Sequence, residues 1–284
     1  MLAGGLASVA APALAADPLQ TPLPAPVPMR EGVVDLGNVK LRYWDTGGTG
    51  EAVVFLHPGS GSAEFYPYQQ PVFAQAGYRA ISYSRRGQYG SEMGSDVDTF
   101  FAADDLRALL KHLGVGRFHA VGNALGGYLG LEMALSDADR IRSLVLAGSM
   151  MGIAEPDYVK TLESLRPKAF DALPLTLKEL GPSYRAANPE GVAEWELRQK
   201  RSGMRAPFRL RNKFTWDTIA GLKVPTLLMT GDADLWIPPW LLNQVAPKFP
   251  GAKIAIVPDA GHSLQWEQPA LFNELVLAFI RGKP

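Results

Sequence analysis

The chain has 284 residues, 47% of them hydrophobic, which is enough to bury the core of one large domain. Its 28 basic residues balance 28 acidic ones, so the charge gives no reason to expect a nucleic acid or an acidic membrane as a partner. The chain contains no cysteine, which excludes disulfides, thiolate catalysis and cysteine-ligated metals.

The N-terminus is similar to the end of a secretory signal. Residues 1–16 carry no charged side chain and reach Ala13-Leu14-Ala15 near their end, a small-residue pattern typical of a cleavage site. We therefore expect a periplasmic or secreted protein; because the basic n-region is missing, a cytoplasmic protein is the alternative. Prolines punctuate residues 17–31, which predicts an extended linker. No later stretch is long and apolar enough to predict stable membrane insertion.

From Gly32 onward, strand-like and helix-like segments alternate, which predicts an α/β fold with a mostly parallel central sheet flanked by helices. Gly37-Asn38 is typical of the tight turn of a hairpin between strands at 33–36 and 39–44. The elements that follow are a strand at 52–56, a helix at 67–76, a strand at 79–83, a helix at 99–113, a strand at 118–121, a helix at 125–135 and a strand at 141–146.

The alternation stops after the last of these strands. Residues 151–216 show helical patches, prolines and mixed charge without a convincing strand, so we predict an inserted helical cap. The sheet pattern then resumes with a strand at 224–229, a helix at 239–249, a strand at 253–257 and a helix at 269–280. The predicted core therefore comprises residues 32–150 and 217–284.

Ala124 is the most informative residue, because its surroundings call for a nucleophile. A short apolar run ends in Gly122-Asn123-Ala124-Leu125-Gly126, which would match G-x-S-x-G if position 124 were serine. In that motif a strand, a sharp turn and a helix expose the nucleophile, and small glycines let strand and helix approach closely. The alternative is a glycine-rich turn without a catalytic role.

A nucleophile of this kind needs a base and an acid that orients the base. His262 is the candidate base, because it lies between the last strand and the last helix and follows the acid in the chain. Asp234, just past the strand at 224–229, is the candidate acid. Asp232 lies in the same loop and competes with Asp234, because the reach of either carboxylate depends on the turn.

Two backbone N–H groups are candidates for an oxyanion hole. Leu125 directly follows position 124, and Gly59 lies in the loop after the predicted strand at 52–56. Pro58 has no N–H, so Gly59 is the first possible donor after His57, and Ser60 is a less favoured substitute.

These features resemble the α/β-hydrolase fold family, in its capped serine hydrolase branch of esterases, lactonases and carbon–carbon bond hydrolases. The family's His-Gly loop corresponds to residues 57–59. Its Asp-x-Arg-Gly-x-Gly-x-Ser segment corresponds to residues 84–91, with Ser84 in place of the aspartate and Tyr89 in place of a glycine. The elbow is similar to Gly-Asn-Ser-Leu-Gly-Gly, and the resemblance extends over residues 32–283.

The resemblance implies a hydrolase of a small to medium, apolar ester or lactone. A serine at position 124 would attack the carbonyl, His262 would act as base and then acid, and Asp234 would orient it. Leu125 and Gly59 would bind the oxyanion. The substrate would be a small molecule, no cofactor or metal is implied, and the oligomeric state is not predicted. Cleavage of a carbon–carbon bond in a diketone-like substrate by the same triad is the alternative.

Ala124 itself has three interpretations. The first is a deliberate serine-to-alanine replacement, since every other triad element persists and the hydroxyl can be removed with little steric change. The second is a natural, catalytically silent relative that binds a ligand. The third is a parent with aspartate or another nucleophile at this position, as haloalkane dehalogenases and epoxide hydrolases have.

Several other residues complete the sequence-based predictions. We expect Trp236, Tyr66 and Met150 to line an apolar substrate pocket. We interpret His57, His112 and His119 as structural rather than catalytic. No pair of histidines has the spacing of metal ligands, and no glycine loop carries the lysine of a phosphate-binding site.

Overall fold

An eight-stranded sheet runs through the protein, and the computed structural model describes residues 17–282. The predicted signal segment at 1–16 lies outside the described residues. The spatial order of the strands is β1-β2-β4-β3-β5-β6-β7-β8, with the pairs of β2 antiparallel and all other pairs parallel. The strands are β1 (Arg30–Asp35), β2 (Lys40–Asp45), β3 (Ala52–Leu56), β4 (Arg79–Tyr83), β5 (Phe118–Asn123), β6 (Ile141–Ala147), β7 (Thr226–Gly231) and β8 (Lys253–Val257).

Helices lie between the consecutive strands from β3 onward and cover the sheet. In chain order they are α1 (Gln70–Gln75), α2 (Ala102–His112), α3 (Leu125–Ser136), α4 (Pro156–Ser164), α5 (Leu175–Glu179), α6 (Pro182–Ala187), α7 (Pro189–Arg201), α8 (Trp216–Ala220), α9 (Pro239–Val245), α10 (Leu264–Glu267) and α11 (Pro269–Ile280). Within residues 17–282, none of them is both long enough and apolar enough to cross a bilayer.

Both faces of the sheet are buried, and β3 shows how the sequence achieves this. All five of its residues are buried and apolar, because successive side chains point to opposite faces that are both covered. Phe55 packs with Phe73 of α1 and Phe272 of α11 on one face. Val54 lies on the other face, in the same cluster as Leu106 of α2. A mostly parallel sheet of this kind requires helices on both sides, as the sequence predicts.

The helices α4 to α7 lie between β6 and β7, in the segment at 151–216 that we call the helical insertion. The insertion packs on α10 through a separate aromatic cluster that includes Trp195 and Trp266. The indole N–H of Trp195 donates to the Ser263 hydroxyl at 3.2 Å, and the Ser263 N–H donates to the Glu179 carbonyl at 2.9 Å. These contacts tie the insertion to the loop that carries His262.

The start of the described chain contacts the helical insertion through Leu19 and Gln20. Pro18–Gln20 forms a short 3₁₀ turn, and the Leu19 carbonyl accepts a hydrogen bond from the Asn188 side chain at 2.8 Å. The Gln20 side chain donates to the Ala187 carbonyl at 2.8 Å. Since β1 begins at Arg30, it also takes the last two residues of the predicted linker at 17–31.

Most boundaries agree with the sequence-based predictions, and one of the exceptions has a clear local cause. The predicted strand at 224–229 begins two residues later, at Thr226, because Pro225 has no N–H to donate to a strand ladder. The predicted helix at 99–113 begins at Ala102. The short α10 between β8 and α11 was not predicted, because four residues do not establish a helical period.

The parallel strands bring the ends of several loops to one edge of the sheet. The carboxyl ends of β3, β5, β7 and β8 lead into the loops that carry Gly59, Ala124, Asp234 and His262, respectively. In sheets of this kind, ligands bind outside the carboxyl ends of the strands. The fold therefore places all the predicted site residues of these loops around one location.

Candidate active site

Ala124 occupies the sharp turn between β5 and α3. Its backbone has φ 49° and ψ −115°, a conformation that residues other than glycine rarely adopt. The Ala124 N–H donates to the Ala147 carbonyl at 2.9 Å, while the Ala124 carbonyl accepts from the Gly127 N–H and the Ser149 hydroxyl, each at 2.9 Å. These hydrogen bonds hold a strained turn of the kind that exposes a nucleophile, although the residue is alanine.

Two glycines permit this turn by letting backbone segments approach closely. A Cβ on Gly122 would lie 2.5 Å from the Gly126 carbonyl oxygen, and a Cβ on Gly126 would lie 1.9 Å from the Leu56 carbonyl oxygen. Both contacts are with backbone atoms, which cannot rotate away as a side chain can. The glycines of the predicted motif therefore have a steric role that the structure makes visible.

Replacing Gly126 with alanine is expected to lower the free energy of unfolding by about 3 kcal/mol, because the new methyl group would force α3 away from β3. Chemical denaturation of both proteins measures the difference. Gly116→Ala is the matched control, since its Cβ would meet no atom within 4 Å, and it should change stability by less than about 0.5 kcal/mol. Equal effects of the two substitutions would contradict a tight elbow.

His262 and Asp234 form a buried pair. The Nδ1 atom of His262 lies 3.1 Å from Oδ1 and 3.0 Å from Oδ2 of Asp234, and both residues are 2% exposed. The carboxylate is held from its other side by the Thr230 hydroxyl at 3.0 Å and by the N–H groups of Trp236 at 2.7 Å and Ile237 at 3.2 Å. Asp234 is thus fixed by its own loop and can hold the imidazole in one orientation.

Asp232, the competing acid, has a different place. Its side chain is exposed and its Oδ1 accepts a hydrogen bond from the Ala260 N–H at 3.3 Å. It makes no hydrogen bond with His262. The structure therefore brings Asp234, rather than Asp232, to the histidine, and leaves Asp232 to tie two loops together.

The electrostatic surroundings of His262 favour its charged form. Burial alone lowers the pKa of the imidazole, but the negative charges of Asp234 and Glu179, with a smaller effect of Glu267, raise it to about 9. Burial raises the pKa of Glu267 to about 8, although the carboxyl accepts hydrogen bonds from the N–H groups of Gly181 and Gly261. The carboxyl groups around His262 therefore stabilise its imidazolium form, which is the form it takes when it has accepted a proton.

The raised pKa of His262 predicts how this residue affects the stability of the fold at different pH values. The pKa of His262 is about 9 in the folded protein and about 6.5 in the unfolded chain. Its contribution to the free energy of unfolding is therefore complete below pH 6.5 and is lost as the pH rises to about 9. The contribution is on the order of 3 kcal/mol. We expect the difference in unfolding free energy between this chain and its His262→Gln variant to fall across that range. A difference that stays constant from pH 6 to 9 would rule out a raised pKa.

The loop after β3 is locked by a buried arginine. The Arg85 guanidinium donates to the carbonyls of His57 at 2.6 Å and Pro58 at 2.8 Å, and the Arg85 N–H donates to Nε2 of His57 at 3.1 Å. Burial lowers the pKa of His57 well below its usual range. His57 is therefore placed as a neutral structural residue of this loop, and Arg85 as the residue that holds it.

The predicted oxyanion donors have free N–H groups. Within residues 17–282, the backbone N–H groups of Leu125, Gly59 and Ser60 donate no hydrogen bond. The side chain of Gln88 fixes the carbonyls of Gly59 and Gly61, at 3.1 Å and 2.6 Å. Unpaired N–H groups on a rigid loop and at a helix N-terminus are suited to bind a developing negative charge.

Residue 124, His262 and the predicted oxyanion donors line one cavity. It has a volume of about 470 Å³. The residues that line it are Gly59, Ser60, Ala124, Leu125, Tyr128, Gly148, Met150, Leu175, Glu179, Arg205, Trp236 and His262. Trp236 and Met150 therefore lie where the sequence predicts them, and the predicted nucleophile position, base and oxyanion donors share the same space.

The prediction that Tyr66 lines this pocket is wrong. Tyr66 is fully buried beneath the site, where its hydroxyl donates to the Leu56 carbonyl at 2.7 Å. Its ring packs on Phe55, with 4.9 Å between the ring centroids. The side chain supports the end of β3, because an aromatic residue close to a site in sequence can equally fill the core below it.

The structure also adds lining residues that the sequence did not single out. Glu179 and Leu175 come from α5 of the helical insertion, Tyr128 from α3 and Arg205 from the segment after α7. The Arg205 guanidinium reaches the oxyanion loop, since a Cβ on Gly59 would lie 2.5 Å from its Nη1 atom. In the sequence, charged residues are frequent in this region, and nothing distinguishes those that face inward.

Among the described residues, no group of three or more His, Cys, Asp or Glu side chains is arranged to hold a metal ion. The groups that the cavity offers for chemistry are an imidazole with its carboxylate, a buried carboxyl, a guanidinium, the hydroxyls of Ser60 and Tyr128, and backbone N–H groups. Together they can transfer protons and stabilise an oxyanion.

Comparisons with known proteins identify the family of the chain. Residues 53–275 match the Alpha/beta hydrolase family. The 2-hydroxy-6-oxononadienedioate/2-hydroxy-6-oxononatrienedioate hydrolase of Burkholderia vietnamiensis is 30% identical over 275 residues, which cover 88% of this chain and 93% of the relative.

Solved structures of hydrolases have the same fold as this chain. A thermophilic esterase from Thermogutta terrifontis, 24% identical, superposes with a TM-score of 0.73 over 89% of this chain and 98% of the esterase. An N-acyl homoserine lactone degrading enzyme, 26% identical, superposes with a TM-score of 0.71 over 87% of this chain and 100% of that enzyme. The fold, the arrangement around the cavity and the match over residues 53–275 lead to one conclusion: the chain belongs to the α/β hydrolase family.

Proposed function

We propose that this chain is the nucleophile-to-alanine form of a serine hydrolase that cleaves a small to medium, apolar ester or lactone. The observation that carries the proposal is the buried His262–Asp234 pair, which opens into the same cavity as residue 124 at the strained elbow. A carboxylate-oriented imidazole beside such an elbow is the arrangement that activates a serine hydroxyl.

The proposed mechanism gives each of these groups a part in acyl transfer. In a form with serine at position 124, neutral His262 would take the hydroxyl proton as the oxygen attacks the substrate carbonyl. The N–H groups of Leu125 and Gly59 would stabilise the oxyanion, and His262 would return the proton to the leaving alcohol. Water would then attack the acyl-enzyme, with His262 again as base, and would release the carboxylic acid and restore the serine.

Alanine at position 124 removes only the reacting oxygen from this arrangement. The elbow, the His262–Asp234 pair and the free N–H groups are present without it. Binding depends on the cavity and oxyanion donors, whereas acyl transfer depends on the nucleophile. We therefore propose that the chain binds its substrate and turns it over very slowly.

Hydrolysis of a carbon–carbon bond is the second candidate, because the relative from Burkholderia vietnamiensis is named as a hydrolase of an oxo-dienedioate. The same triad and oxyanion donors would serve a ketone carbonyl. Product analysis of the Ala124→Ser variant with a panel of substrates separates the candidates. An alcohol and an acid from p-nitrophenyl esters or lactones support the proposal, whereas two carbon fragments from a vinylogous diketone, with esters unreacted, would replace it with the second candidate.

A further inference from the structure

Glu179 is a buried acid in the cavity for which the proposed mechanism has no use. It is the last residue of α5 in the helical insertion, it is 5% exposed, and it lines the cavity together with Ala124 and His262. Its Oε2 atom is buried and has no hydrogen-bond partner within residues 17–282. The hydroxyl of Ser60, which lines the same cavity, faces the Glu179 carboxyl and has a small lowering effect on its pKa, but the pair does not have the geometry of a hydrogen bond.

The neighbours of Glu179 fix its position without satisfying its side chain. Its backbone carbonyl is held by the Ser263 N–H at 2.9 Å. The amine of Lys178, its neighbour in sequence, lies 3.5 Å from the Asp171 carbonyl. The Nδ1 atom of His262 is occupied by Asp234. Both cations thus have another partner, and they act on the Glu179 carboxyl through their charge rather than through a direct ion pair.

A buried carboxyl without a partner is costly, because it has lost its hydration and gained no hydrogen bond in exchange. Burial correspondingly raises the pKa of Glu179, although the charge of His262 opposes this. A ligand in the cavity that donates a hydrogen bond to the carboxyl group would offset this cost. A ligand without a donor would leave the acceptor buried and unpaired, which is how binding sites discriminate strongly against analogues that lack one polar group.

We propose that Glu179 is a specificity-determining residue, whose carboxyl accepts a hydrogen bond from a hydroxyl or ammonium group that the substrate carries near its scissile carbonyl. This inference rests on the proposed function, because that function determines which carbonyl group is cleaved. We place the donor group on the part of the substrate that carries the reacting carbon, because Glu179, Ala124 and His262 line the same cavity of about 470 Å³. Leu175, Trp236 and Met150 leave apolar surface for the rest of the substrate.

The test compares matched esters in the Ala124→Ser variant: p-nitrophenyl butyrate, its 3-hydroxy derivative and its 3-amino derivative. We expect kcat/KM for the hydroxy or the amino ester to exceed that of plain butyrate by at least about tenfold. Adding Glu179→Leu should abolish the preference, since leucine fills similar volume without an acceptor. Adding Glu179→Gln distinguishes the donors, because an amide oxygen still accepts from a hydroxyl but offers no charge to an ammonium.

Binding to the unmodified chain keeps this test separate from the proposed function. Calorimetric titration of the Ala124 chain with the corresponding methyl esters requires no turnover and should show the same tenfold preference in Kd. Glu163→Gln, an exposed acid of α4, is the control variant and should leave the preference unchanged. An inactive Ala124→Ser variant with the binding preference intact would reject the proposed function alone. Equal binding of all the esters, or a preference that survives Glu179→Leu, would overturn the role of Glu179.

Discussion

Ala124→Ser is expected to raise kcat for p-nitrophenyl esters by about 10⁴- to 10⁶-fold over the unmodified chain. The expected gain is large because the other parts of an acyl-transfer site are in place. The elbow already holds the strained backbone at φ 49°, His262 is already paired with Asp234, and the N–H groups of Leu125 and Gly59 are free. Steady-state kinetics on both proteins measures the ratio.

The control is the double variant Ala124→Ser/His262→Ala. A serine without its base is a weak nucleophile, so the kcat of this double variant should lie within about tenfold of the kcat of the unmodified chain. A gain that persists without His262 would mean that another base is used. An Ala124→Ser variant that stays inert with every ester and lactone would favour a natural binding protein, in which alanine is the native residue.

Asp234→Asn in the Ala124→Ser background is expected to lower kcat by about 10⁴-fold. The asparagine would keep the size of the side chain, but its amide cannot stabilise the imidazolium and favours the wrong tautomer of His262. This general magnitude applies here because both carboxylate oxygens lie within 3.1 Å of Nδ1 of His262, so the pair is fully formed. KM should change much less than kcat, since the carboxylate contacts the histidine rather than the cavity.

Asp232→Asn is the matched control for this prediction. It alters an aspartate in the same loop, yet Asp232 is exposed and accepts a hydrogen bond from the Ala260 N–H at 3.3 Å. We expect kcat to change by less than about threefold, because an asparagine oxygen can accept the same hydrogen bond. A loss of similar size in both variants would assign the effect to the loop rather than to the acid.

Much of the fold can be predicted from the sequence because its local patterns agree with the tertiary structure. The strand predicted at 52–56 and the helix predicted at 269–280 coincide with β3 and α11. In these elements the apolar residues are those that the sheet and its helices bury, so pattern and packing favour the same structure. The order of position 124, Asp234 and His262 likewise follows from the family resemblance and the ends of the strands.

Other parts of the site depend on distances that a sequence does not contain. Asp234 and Asp232 both follow β7, and only the turn, with its hydrogen bonds to Trp236 and Ile237, decides which of them reaches His262. Tyr66 resembles a pocket residue in the sequence, but it packs under the pocket. Glu179 becomes notable only once the helical insertion has buried it beside the histidine.

Covalent labelling of residue 124 tests the central proposal most directly. A fluorophosphonate reacts with a serine that a base has activated, and the adduct can be located by mass spectrometry of proteolytic fragments. We expect Ala124→Ser to carry a single adduct at position 124, with labelling abolished by His262→Ala, and the unmodified chain to remain unlabelled. An Ala124→Ser protein that folds yet forms no adduct at that position would contradict the proposal that this elbow presents a serine nucleophile.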